Sequence, residues 1–230
     1  DGGSVIGGKA QSAYLMKWNR YYNARALYKI LDAGVLPRLT TEPFSANVNG
    51  KKMNFDRGTI VIPVSQRDAN STLTEDDIHN LMNDIALENH VNIYATNSAS
   101  TPTGPDLGGA FQGLLKKPKV AILSGRGTSS YGVGEVWHLL NHRMHIPASL
   151  VDANNLTQRK LSHYNTLILA DGNYTMLDST DIQSIKDWNK EGGTLITTGS
   201  ASKWAVNKKI TTEKIKKNKQ INLDIAYSRV

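Results

Sequence analysis

Three groups of residues in this chain have types and spacings that could do chemistry. Glu135, His138 and His142 stand at i, i+3 and i+7, so on a helix they share one face. Two histidines four residues apart can chelate zinc, and a nearby carboxylate could complete the set, which makes these three the candidate metal ligands. A zinc-peptidase helix places glutamate between its histidines as His-Glu-x-x-His, whereas Leu139 follows His138 here. The competing reading puts both histidines at a partly solvated helix edge. The second group is Thr198-Gly199-Ser200-Ala201-Ser202, directly after an apolar run. A nucleophile on such a strand-to-helix turn can place its oxyanion against free backbone N–H groups. The best register puts Gly199, which has no side chain to attack with, at the nucleophile position. Ser200 comes one residue late, and Ser202 occupies the place of the second glycine in G-x-S-x-G. The catalytic candidates are therefore Ser200 with His138 or Glu135. The third group, Gly125-Arg126-Gly127, hints at a dinucleotide turn, but Ser130 stands where a third glycine is required. It reads as a strand-to-helix loop, and no cofactor is assigned to it.

Composition narrows the classes these groups could serve. The chain has 230 residues, 39% hydrophobic and 20% charged, with net charge +7. That length suits one large domain or two small ones and can bury a real core. No apolar run approaches the ~18–20 residues of a membrane helix, so no membrane span is expected. Zero cysteines exclude disulfide scaffolds, thiolate metal sites and a cysteine nucleophile. Seven lysines and one acid, Glu213, fall between residues 203 and 219, which carries +6 of the +7. Nucleic-acid surfaces usually mix arginine and stacking aromatics over a folded face. This run has no arginine and only Trp204, so it reads as a solvated lysine-rich loop, with polyanion binding as the alternative. Nucleic acid is not among the expected partners.

Strand-like and helix-like patterns alternate, which predicts an α/β fold. A helix capped by Asn19 is expected through Ala33, with Gly34 as its stop, then strands at 35–39 and 59–63. Thr74 and Asp77 form a capping-box pair, with Leu73 and Ile78 as the hydrophobic staple. The strand at 91–96 follows that helix. Residues 97–118 read as loop and mark a boundary, giving an accessory or linking segment at 1–117 and a second domain at 118–230. In the second half, strands are expected at 120–123, 146–151, 166–170 and 194–198. Helices are expected at 134–143, burying Val136, Trp137 and Leu140, and after Asp178, burying Ile182, Ile185 and Trp188. This order implies a parallel sheet with right-handed crossovers. Residues 221–230 read as a strand cut off in mid-domain.

The second-half motifs Val120-Ala-Ile-Leu123, Gly134-Glu-Val-Trp137, Ile146-Pro147, Tyr164-Asn-Thr-Leu-Ile-Leu169 and Trp188-Asn-Lys-Glu-Gly-Gly-Thr-Leu-Ile196 resemble the C-terminal region of secreted bacterial zinc carboxypeptidases of the carboxypeptidase A-like family. That region looks like a class I glutamine amidotransferase-like domain behind the peptidase, and residues 58–63 and 104–108 look like the joining segment. The resemblance implies a parallel-sheet, three-layer, flavodoxin-like second half with a smaller α/β first half. It also implies a secreted or periplasmic protein with zinc in an upstream peptidase domain. Catalysis does not carry over. No histidine here has glutamate three residues later, as the peptidase zinc site needs, and the amidotransferase elbow needs a cysteine. Glu135 stands near where related amidotransferase-like folds keep a glutamate beside their nucleophile.

The chain, which begins without a secretory signal, is accordingly expected to be an excised fragment. The expected function is a non-catalytic accessory domain that packs on the peptidase domain of the same chain or binds peptide or envelope polymer. The alternative is a degenerate amidase or hydrolase using Ser200.

Overall fold

The computed structural model describes residues 2–66, 72–156 and 161–215. The chain forms two compact units, one of residues 1–119 with 137–148, the other of 120–136 with 149–230. The first crossing falls two residues beyond the boundary expected at 117/118, and residues 137–148 return to the first unit.

The first unit is built on a mixed six-stranded sheet. Its strands are β1 (Val5–Ile6), β2 (Ala13–Met16), β3 (Arg38–Thr40), β6 (Ile60–Pro63), β7 (Ile93–Thr96) and β8 (Gln112–Leu114), in the order β1-β7-β2-β6-β3-β8. β1 pairs with β7 in parallel and the remaining pairs are antiparallel. Side chains alternate across the sheet. Tyr14, Met16, Ile60, Ile62 and Ile93 pack in one cluster with Ala26 and Ile30 of α1 (Asn23–Asp32) and Ile78, Met82 and Ile85 of α2 (Glu75–Asn89). Ala13, Leu15 and Val61 pack in another with Phe44, Val48 and Phe55 of the hairpin β4 (Phe44–Val48) and β5 (Lys51–Phe55). β2 is therefore buried on both faces and shows no polar alternation, which hides it from a period-two reading.

Two helices show how far local signals carry. α2 starts where expected: Thr74 Oγ1 accepts from Asp77 N at 3.2 Å, and Asp77 Oδ2 accepts from Thr74 N at 2.8 Å. α1 starts three residues later than expected, because Asn19 does not cap it; the N-cap is Tyr22, without a side-chain cap bond. Its end at Gly34, with φ +80°, matches the expected stop. The strand expected at 35–39 begins only at Arg38. Val35 N donates to Ile30 O in closing α1, and Leu36 N donates to the Gln66 side chain. β8 lies inside the stretch read as loop.

The second unit carries a four-stranded parallel sheet of β9 (Val120–Ser124), β10 (Ala148–Asp152), β11 (Thr166–Leu169) and β12 (Thr194–Thr197), ordered β10-β9-β11-β12. Leu167 of β11 lies opposite Ala121 of β9 and Leu195 of β12. The α/β class and the parallel sheet agree with the sequence reading. α4 (Ser179–Lys190) has the expected Asp178 cap, reciprocated by Asp181, and buries Ile185 and Trp188 with Ile182 packed alongside. α5 (Ser200–Asn207) follows β12 and adds Ala201 and Trp204 to the same core. The helix expected at 134–143 differs. α3 spans Ser130–His138 and passes into a π-helical turn, Leu139–Arg143. Ser129 Oγ accepts from Gly132 N and so starts the helix before its glycines. Val133 is its buried residue, while Val136, Trp137 and Leu140 are half-buried. The strand expected at 221–230 lies outside the described residues.

Candidate functional site

In parallel α/β sheets, ligands bind outside the carboxyl ends of the strands, where the strand order reverses. Here that point lies between β9 and β11. The loop after β9 holds Gly125, Arg126 and Gly127, the loop after β11 holds Asp171 and Gly172, and the turn after β12 holds Gly199 and Ser200.

The first two loops are joined to each other. Ser129 N donates to Asp171 O at 2.8 Å, Asn173 N donates to Gly127 O at 2.9 Å, and Thr128 and Gly172 form an isolated antiparallel bridge. A Cβ at Gly127 would lie 2.6 Å from Met176 Cε and 2.8 Å from Asn173 Oδ1. At this turn the Ser129 N–H is thus spent on the neighbouring loop and the Thr128 N–H on Gly125 O.

The turn after β12 has a nucleophile-elbow form without a nucleophile. Gly199 adopts φ 57° and ψ −131°, which costs an L side chain heavily and which glycine adopts freely. A Cβ there would lie 2.5 Å from Asp171 Oδ1 and 2.9 Å from its Cγ. The carboxylate of Asp171 occupies the direction in which the attacking side chain would project. Asp171 Oδ1 accepts from Ser200 N at 2.8 Å and from Ser200 Oγ at 2.5 Å. The Ser200 hydroxyl and the two backbone N–H groups, of Ser200 and Gly172, hold the Asp171 carboxyl below its ordinary pKa. Ser200 Oγ also lies 2.8 Å from Gly172 O and accepts from Gly172 N at 3.1 Å.

Ser200 is exposed, but its hydroxyl partners among the described residues are Asp171 and Gly172, and no histidine. Asp171 Oδ1 receives the first N–H of helix α5, and so acts on that helix as an N-terminal cap.

Glu135 is exposed on α3, and His138 and His142 are exposed where α3 meets the π turn. The two imidazoles stack with centroids 5.1 Å apart, and Trp137 meets His142 edge-on at 5.1 Å. Among the described residues, no group of three or more His, Asp or Glu is placed to hold a metal ion. Lys203, Lys208, Lys209 and Lys214 are exposed, and the other three lysines of the run lie outside the described residues. No described helix is long and apolar enough to cross a membrane.

Comparison with protein-family models, curated proteins and solved structures found no match.

Two features escaped sequence reasoning. An amidotransferase-like sheet sets the Asp171-Gly172 loop facing Gly199, but the bond from Ser200 to Asp171, 29 positions away, has no local signature. The first unit holds a groove of about 520 Å3 whose lining includes Ser12, Leu36, Arg38, Val61 and Leu107. Arg38 meets Val61 and Leu114 across β6 and β8, a neighbourhood that exists only once the sheet is paired.

Proposed function

We propose that this chain is a non-catalytic accessory module of a secreted zinc carboxypeptidase. Its second unit would be a flavodoxin-like, three-layer, amidotransferase-like scaffold with a disarmed elbow. The carrying observation is the pair Gly199 and Asp171: a turn shaped for a nucleophile holds a glycine, and a carboxylate fills the space beside it. The strand order β10-β9-β11-β12 supports the scaffold reading. In order of appearance within the unit it runs 2-1-3-4, as the doubly wound order begins. The motif resemblance supports the parent, whose zinc would sit in an upstream peptidase domain and whose export would make this a secreted or periplasmic protein. The module would act by packing on that domain or by binding peptide or envelope polymer.

The test is chemical. The purified chain is treated with a serine-reactive fluorophosphonate and assayed for release of C-terminal amino acids with and without chelator. No labelling and no chelator-sensitive release are expected. Labelling that disappears in Ser200→Ala, or chelator-sensitive turnover, overturns the reading.

A further inference from the structure

We infer that the first unit carries a binding pocket for a small oxyanion in front of the N-terminus of α1, a site independent of the elbow in the second unit. The pocket, about 40 Å3, is lined by Lys17, Asn19, Arg20, Asn23, Asn92 and Tyr94. This is room for a small polyatomic group rather than a single water.

The decisive group is Asn23. It is 2% exposed, and its Nδ2 is buried without a hydrogen-bond partner. The amide cannot be flipped to cure this. Its Oδ1 accepts from Arg20 N at 2.5 Å, and exchanging O and N would set two donors against each other. A buried amide donor left unpaired bears its desolvation cost with nothing to offset it. It therefore points to an acceptor that completes the site.

The surroundings specify the charge of that acceptor. The lining contains two cations and no acid, and neither Lys17 nor Arg20 is paired with a carboxylate among the described residues. Lys17 Nζ is held 5.1 Å above the Phe55 ring and 5.7 Å from that of Tyr94, which positions the ammonium without neutralising it. α1 has no side-chain N-cap bond and no acidic residue in its first turn, so its positive end is uncompensated. Asn23 with its unpaired amide donor, Lys17, Arg20 and the N-terminal end of α1 border one small space. Acceptor-only groups with negative charge fit it: phosphate, sulfate or carboxylate, free or as part of a larger ligand.

The experiment is a titration of the full chain with sodium phosphate, with sodium acetate and with sodium chloride at matched ionic strength. The side-chain NH2 resonances of Asn23 are followed by 15N NMR. A saturable shift with phosphate or acetate, absent with chloride, is expected; the stronger of the two identifies a tetrahedral or a planar anion. Lys17→Met and Arg20→Gln should each weaken binding at least fivefold. Arg20 is exposed, so its variant reports even if Lys17→Met fails to fold. Absence of a saturable shift with either anion, or unchanged affinity in the variants that fold, overturns the proposal.

Discussion

The carboxylate of Asp171 lies where a side chain at Gly199 would begin, with Oδ1 2.5 Å from the position of a Cβ. Glycine at this point is thus required twice, by its backbone angles and by the carboxylate beside it. Refilling the elbow would demand that Asp171 move, which would strip the cap from α5.

Gly199→Ala should therefore destabilise the chain by at least about 1–2 kcal/mol, the cost of forcing an L residue to positive φ. Gly134→Ala is the control: it lies inside α3 with nothing within 4 Å of a new Cβ, and should be neutral or stabilising by about 0.4–1 kcal/mol. Urea melts of both variants check the contrast. Equal effects would remove the argument from Asp171.

Acid should weaken the same turn. The folded Asp171 carboxyl sits below its ordinary value of 3.8, so its contribution is complete above that pH and is lost as pH falls through the lower folded value. Asp77, lowered by Thr74, acts in the same direction. Asp171→Asn should flatten the loss of stability below about pH 4 relative to the parent chain, as read from denaturant midpoints across that range. An unchanged acid slope would mean that the Ser200 contacts do not persist in solution.

Tyr14→Phe tests a polar link inside the first unit. The buried Tyr14 hydroxyl accepts from Ala10 N at 3.1 Å and bonds His79 Nδ1 at 2.8 Å. Removing it leaves an N–H without its partner and should cost about 1–3 kcal/mol. Thermal melts measure this directly. A loss below a few tenths of that range would mean that water replaces the hydroxyl.

The lysine-rich stretch should behave as solvated surface. Binding to heparin or duplex DNA should be weak and disappear near physiological salt, as screening and counterion release require. Sub-micromolar affinity that survives such salt and is lost on neutralising Lys203, Lys208, Lys209 and Lys214 would establish polyanion binding instead.

The readable parts of this fold are those whose signal lies within one turn of helix or one strand. The capping pairs Thr74 with Asp77 and Asp178 with Asp181, and the apolar runs of β9, β11 and β12, are signals of that kind. The missed parts fall into two classes. Some were local but passed over: Asn49-Gly50, with φ 49° and 74°, forms the two-residue turn that joins Val48 to Lys51, a strong hairpin signal between two short strands. Others are not local at all. β2 lacks alternation because both its faces are covered, and β8 is a three-residue strand that exists only by pairing with β3. The site divides in the same way. Gly199 at the elbow and the Asp171-Gly172 loop facing it were legible from their positions after strands, whereas the bonds of Ser200 to Asp171 and the unpaired amide of Asn23 depend on contacts that spacing does not encode.

The chain passes between its two units three times, at 119/120, 136/137 and 148/149. This sets an order on synthesis. Residues 137–148 join the first unit only after the translating ribosome has added β9 and most of α3, whereas both hydrophobic clusters on the faces of its sheet are built from residues up to 115. At about 5–20 residues per second, that wait lasts on the order of 1–6 seconds. During it, the first sheet already has both apolar faces covered by its own helices and hairpin, while β9 is on the growing chain without β10 or β11 to pair with.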